Sequence, residues 1–198
     1  MNIRKNKNLE LELKLLSKIQ KNKEVSQRSI SKDLNVALGF SNALIKKLVK
    51  KGFLKLSQAP MQRYFYYITP KGLIEKANLT KQFLKSSLDF YKRAKDDYES
   101  EFLKIKKLKY KNVILAGTGE LAEIAILASN YQEVKINFIY DNKAKQETFC
   151  GYKVLRRLDK NFNEKNTVFI LSESHTTNVV LNKIKKNFNI YIPKFLNL

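Results

Sequence analysis

Asn42, Lys46 and Lys47 fall on one face of a stretch with helical spacing, and their side chains have the chemistry a nucleic acid calls for. The amide can pair with an adenine edge and the ammonium groups can meet phosphates. Leu38, Gly39, Phe40 and Ala43 share that outward face, and Gln27 and Arg28 open the shorter helical stretch before it. Arg63 lies further on, as a candidate for a backbone or minor-groove contact. A second set begins at Gly117. Gly117, Thr118, Gly119, Glu120 and Leu121 follow an apolar strand and open a helix, a G-x-G-x-x-A turn, and Asp141 and Asn142 follow the next strand, Asp141 lying 22 positions after Gly119. Such glycines let a phosphate approach the helix N-terminus, and Asp141 can accept from ribose hydroxyls. They equally permit a tight turn with nothing bound. Glu120 competes for the same amides and opposes a diphosphate directly over them.

Residues present only once narrow the chemistry. A single cysteine, Cys150, makes no internal disulfide, and a single histidine, His175, anchors no usual zinc site. His175 stands just past an apolar strand, where ligands of parallel sheets bind. With no nucleophile, base and orienter beside it, it reads as a capping or surface residue, and Cys150 as an ordinary thiol. No catalytic residue, metal ligand or certain cofactor is assigned.

The elements that position the first set run from Ser26 to Leu56. Ile30 and Leu34 sit four apart, Val36 plugs a turn, and Leu44, Ile45, Leu48 and Val49 repeat at helical period. Ser26 is the expected N-cap of the first helix and Gly52 the left-handed C-terminal residue of the second. This is a helix-turn-helix pattern, though a helical hairpin in a protein-protein module would share it. A two-stranded wing is expected next, with Phe53–Leu56 and Arg63–Thr69 as strands around a loop over 57–62. Tyr64, Tyr66 and Ile68 share one strand face, Phe65 and Tyr67 the other, so that some of these aromatics close the core; base stacking is the alternative.

Upstream, Met1–Asn8 reads as a flexible basic arm, Leu9–Gln20 as a first helix and Lys21–Glu24 as a polar turn. Downstream, Thr69 caps a helix with Pro70 at its first position. Leu84, Leu88, Tyr91, Lys95, Tyr98, Phe102 and Ile105 follow steps of four and three, a heptad-like seam with one charged break. Dimerisation through this 79–108 helix is expected, against the alternative that the face packs on its own chain. The basic run from Lys104 to Lys111 would be a hinge.

At Val113 the composition changes. Strands are expected at Val113–Ala116, Val134–Tyr140, Tyr152–Leu155, Thr167–Leu171 and Ile190–Ile192, with a helix after the glycine turn and another over Thr177–Phe188, hence a parallel sheet. Net charge is +21 over 198 residues. Residues 1–112 carry 27 lysines and arginines against 10 acids, the rest only 12 against 8. The excess sits with the helix-turn-helix, as a polyanion-binding domain requires and as a habitually Lys-rich surface would also show. No apolar run reaches the roughly 18 residues of a membrane span, and the N-terminus lacks a signal-peptide pattern, so a cytoplasmic location is expected.

Gln27 to Leu54, and particularly YYITPKGLIEKANLTKQFLKSSLDFY, resemble the MarR-type winged-helix regulators associated with exopolysaccharide gene clusters, over about residues 9–108. Ala37 stands where such motifs often carry a capping serine. GTGELAEIA, FIYDN and GYKVL resemble the truncated Rossmann domains that follow this winged helix in some such regulators, and the nucleotide-sugar-binding domains of bacterial sugar N-acetyltransferases. A more distant likeness is to Rex-type redox repressors.

The expectation is an α/β protein in three parts. These are a winged helix-turn-helix over 1–78, a long linker and dimerisation helix over 79–111, and a small Rossmann-like parallel-sheet domain over 112–198. The resemblance implies a regulator, homodimeric on double-stranded DNA, of surface polysaccharide or sugar-metabolism genes, whose second domain senses a nucleotide or nucleotide-sugar. The alternatives are a Rex-like NAD(H) sensor, an interaction protein whose sheet binds no ligand, and a small nucleotide-dependent enzyme.

Overall fold

Leu11, Leu15, Leu16 and Ile19 follow the spacing of one helical face, so one stripe of a helix is apolar and must be covered. The computed structural model describes residues 3–22, 25–59, 63–158, 162–173, 184 and 186–196. That stripe lies on α1 (Ile3–Lys21). It is buried against Ile30 of α2 (Gln27–Asp33), Leu34 just beyond it, and Leu44, Ile45 and Leu48 of α3 (Leu38–Lys50). The expected basic arm is therefore helical from Ile3, because no glycine or proline stops α1 from propagating backwards. Ser26 caps α2 by accepting from the Ser29 amide at 3.0 Å. Asn35 takes the left-handed conformation in the turn, which asparagine tolerates, and Val36 packs against the core. Gly52, at φ 74°, follows the C-cap of α3.

The wing pairs β1 (Leu54–Ala59) with β2 (Arg63–Ile68) in antiparallel register, Leu54 opposite Ile68 and Leu56 opposite Tyr66. Ser57, Gln58 and Ala59, expected in the loop, extend the first strand, because the register continues to Ala59 opposite Arg63. Tyr66 is the aromatic that closes the core, while Tyr64 and Tyr67 stay exposed.

Helix α4 (Pro70–Leu108) starts at Thr69, whose hydroxyl accepts from the Gly72 amide at 3.0 Å and donates to the Gly52 carbonyl at 2.7 Å. A Cβ on Gly72 would sit 2.1 Å from the Phe53 carbonyl oxygen, so only glycine lets the first turn close on the wing. By its contacts the chain forms two compact units, residues 1–88 and 89–198, and α4 contributes to each.

In the second unit, β3 (Asn112–Ala116), β4 (Phe138–Tyr140), β5 (Thr148–Phe149), β6 (Tyr152–Leu155), β7 (Thr167–Leu171) and β8 (Asn189–Tyr191) form one sheet in the order β5-β6-β4-β3-β7-β8. All pairs are parallel except β5 with β6. The expected strand over 134–140 is confined to its last three residues; the segment before it buries Val134 and Ile136 outside the ladder. One face of the sheet, with Leu115, Ile139 and Ile170, is covered by α5 (Glu120–Tyr131) and by Tyr98, Phe102 and Ile105 of α4. The other, with Ile114, Tyr140 and Phe169, packs on Ile184 and Phe188.

This corrects the heptad reading. A parallel sheet has two apolar faces to cover, and the C-terminal half of the seam covers one of them within its own chain. Lys95, the charged break, pairs with Glu99 and lies 4.6 Å from the centre of the Tyr131 ring. Only Leu84, Leu88 and Tyr91 of the seam remain exposed. The Lys104–Lys111 run is helical to Leu108 with Ile105 buried, and the chain turns at Lys109, φ 51°. His175 and most of the Thr177–Phe188 helix lie outside the described residues, as do Glu24 and the Pro60–Gln62 wing tip.

Candidate nucleic-acid interface and glycine turn

The three-helix core fixes which face of α3 is outward. Ser41, Leu44, Ile45 and Leu48 point in; Leu38, Gly39, Phe40, Ala43, Lys46 and Lys50 point out. Ala37 supplies no side-chain cap, so α3 begins without the bond a serine would make. The exposed lysines Lys51 and Lys55 continue the basic surface beyond Lys50. Lys50 was legible as the residue one turn beyond Lys46, but the candidate set omitted it.

Two candidate contacts have other duties, and a third has its oxygen turned away from solvent. Gln27 is half-buried and donates from Nε2 to the Tyr66 hydroxyl at 3.1 Å, tying α2 to the wing. Lys47 pairs with Glu12 of α1, whose carboxylate is almost fully buried. Asn42 is half-buried, and its Oδ1 is buried with no hydrogen-bond partner among the described residues. Arg28 is exposed. Arg63 opens β2 opposite Ala59, beside the wing tip.

In the second unit the glycine turn lies at the carboxyl end of β3, where β4 pairs on one side and β7 on the other. The Gly117 amide donates to the Tyr140 carbonyl at 2.9 Å, and the Ser172 hydroxyl donates to the Gly117 carbonyl at 2.9 Å. A Cβ on Gly117 would lie 2.4 Å from the Cβ of Glu173, so packing alone requires glycine there. Gly119 differs: at φ 144° it demands a glycine-type backbone, yet among the described residues nothing lies within 4 Å of where its Cβ would be.

Thr118 and Asp141 come together, the hydroxyl donating to Oδ2 at 2.6 Å, while Oδ1 of Asp141 accepts the Lys143 amide at 2.9 Å. Glu120 is exposed at the first position of α5, and Leu121 packs into the core rather than toward the turn. Asn142 lines a separate cavity of about 860 Å³ with Tyr140, Arg157, Phe162 and Phe188. Burial, with the Asp141 carboxylate next, pushes the Tyr140 phenol up. Glu173 and Ser172 were not among the candidates, because only the fold brings the end of β7 over the turn.

Residues 9–55 match the family model of a winged helix-turn-helix DNA-binding domain. With the wing that follows, the N-terminal unit is a winged helix-turn-helix DNA-binding domain. No curated protein matches the chain. Among solved structures, that of TrmBL2, an archaeal chromatin protein described as showing a novel mode of DNA binding, is 14% identical. It covers 97% of this chain and 72% of that one at a TM-score of 0.28, an overlap too slight to carry a conclusion. Among the described residues no helix is long and apolar enough to cross a membrane.

Proposed function

We propose that the protein is a cytoplasmic, sequence-specific transcriptional regulator that binds double-stranded DNA as a homodimer. The observation that carries this reading is the outward face of α3, held by a winged three-helix core and bearing Lys46 and Lys50 beside uncharged side chains. The likeness to MarR-type regulators of exopolysaccharide clusters makes surface polysaccharide or sugar-metabolism genes the proposed targets. Selection from a random duplex pool tests it. A recovered two-fold-related motif supports the reading, and binding without any enriched sequence contradicts it.

Dimerisation is supported by Leu84, Leu88 and Tyr91, exposed at steps of four and three on α4. For the second unit we propose a Rossmann-like sensor of a nucleotide or nucleotide-sugar. The sheet order, which reverses at β3, and the Thr118–Asp141 pair beside Gly119 support it. The ligand acts by favouring one dimer geometry over another. No catalysis is assigned to it.

A second reading, a sheet that binds no ligand, is favoured by Glu173, whose contact with Gly117 explains that glycine without any phosphate. Titration of nucleotides and nucleotide-sugars separates the two. A ligand-dependent change in DNA affinity supports sensing, and its absence across the panel supports the second reading.

A further inference from the structure

Leu38 and Phe40 remain 41% and 44% exposed in the first turn of α3, while Ser41, Leu44, Ile45 and Leu48 are the residues of that helix buried in the core. Two large apolar side chains thus flank the outward face at the start of the helix that would enter the groove. The polar readers are few. Asn42 has its carbonyl oxygen buried, and Lys47 is paired with Glu12. Between the apolar pair, the centre of the face is Gly39 and then Ala43, both exposed.

Gly39 has no reason to be glycine within the protein. Its φ is not in the left-handed region, and among the described residues no atom from outside its own turn lies within 4 Å of the Cβ it lacks. A missing side chain on the outward face lets the helix backbone approach whatever it docks on. Lys46 and Lys50, about two and three turns beyond Gly39, offer positive charge to flanking phosphates. A surface that is apolar and small at its tip and cationic behind it is complementary to a major groove carrying apolar groups. The C5 methyl of thymine is the apolar group presented there.

We infer that this recognition helix reads thymine methyl groups, with Leu38 and Phe40 as the reading side chains and Gly39 and Ala43 admitting close approach. The inference rests on the DNA-binding reading and names the feature of the duplex that is recognised. Preferred sites are rich in thymine at the positions under the start of α3.

The test compares the duplex enriched by selection with the same duplex carrying deoxyuridine for every thymine, which keeps the base pairs and removes only the methyls. The wild-type protein is expected to bind the deoxyuridine duplex about tenfold more weakly, the effect of two methyls losing apolar cover. The Leu38→Ala/Phe40→Ala variant, whose changes are at exposed positions, is expected to bind both duplexes alike. Equal wild-type affinity for the two duplexes, with salt-dependent binding intact, overturns the inference and leaves the DNA-binding reading standing. Absence of binding to any duplex overturns both. Loss of self-association in the double variant without a change in thymine discrimination also overturns it, since these side chains would then serve a protein contact.

Discussion

The Gln27 side-chain amide donates to the Tyr66 hydroxyl at 3.1 Å, joining the first helix of the helix-turn-helix to the second strand of the wing across 39 residues of chain. A residue with the position and chemistry of a DNA contact is therefore first a strut. The Tyr66 ring lies in the core, and this bond adds a polar tie between the wing and α2 to that packing.

Tyr66→Phe should cost about 0.5–1.5 kcal/mol of unfolding free energy, the worth of one neutral hydrogen bond. Gln27→Ala should lower DNA affinity no further in the Tyr66→Phe background than Tyr66→Phe does alone, because the two act through one bond. Urea unfolding and duplex titration of the two singles and the double measure this cycle. A Gln27→Ala loss that adds in full to that of Tyr66→Phe would show Gln27 touching DNA directly.

Glu12 is nearly buried and Lys47 about half exposed, so their pairing withdraws a lysine from the DNA face. Glu12→Gln should release it, raising duplex affinity and steepening the log-log salt dependence by about one unit. Lys47→Ala should instead destabilise the domain by about 1 kcal/mol, a figure discounted for the lysine's exposure, because the buried carboxylate is left alone. Salt titrations by fluorescence anisotropy and thermal melts of both variants decide it. An unchanged salt slope in Glu12→Gln would contradict the assignment.

Two glycines of the same domain should respond oppositely to alanine. Gly72→Ala forces a Cβ to within 2.1 Å of the Phe53 carbonyl oxygen, and backbone there cannot yield cheaply. It should destabilise by roughly 2 kcal/mol or more. Gly39→Ala meets open space in a helix and should stabilise by about 0.5 kcal/mol, while weakening DNA binding. Melting temperatures of the two variants, measured without DNA, should move in opposite directions from the wild type.

In the second unit the Tyr98 hydroxyl, buried, donates to the Leu171 carbonyl at 3.1 Å. Burial raises its pKa far above the ordinary 10. The folded value exceeds the unfolded one, so the contribution to stability is complete below about pH 10 and is lost as pH rises beyond it. Tyr98→Phe should cost about 1 kcal/mol at neutral pH and flatten the alkaline decline. Unfolding followed by circular dichroism from pH 8 to pH 11 checks both; an unaltered slope above pH 10 would contradict the role given to Tyr98.

Much of this architecture was written locally. Ser26, Val36, Gly52, Thr69 and Pro70 are punctuation whose effect depends on near neighbours, and the strand and helix periods between them read directly. What escaped was decided across the fold. The seam from Leu84 to Ile105 looks the same whether it meets a second copy or its own sheet, and the sheet claims Tyr98, Phe102 and Ile105. The Lys47–Glu12 pair joins positions 35 residues apart, and the Gly117 contact with Glu173 requires β7 beside β3. No spacing rule connects such residues. The placement of Thr118 beside Asp141 was within reach, since a glycine turn at one strand end and an acid at the next converge whenever the strands are parallel neighbours.

The most direct measurement is the salt dependence of duplex affinity for the wild type and for Lys46→Ala/Lys50→Ala, both residues exposed on α3 and outside the core. The account predicts that the double variant keeps its melting temperature within about 1 °C and loses about two units of salt slope, one per phosphate contact removed. Identical slopes for the two proteins would mean that the outward face of α3 is not the surface that meets DNA.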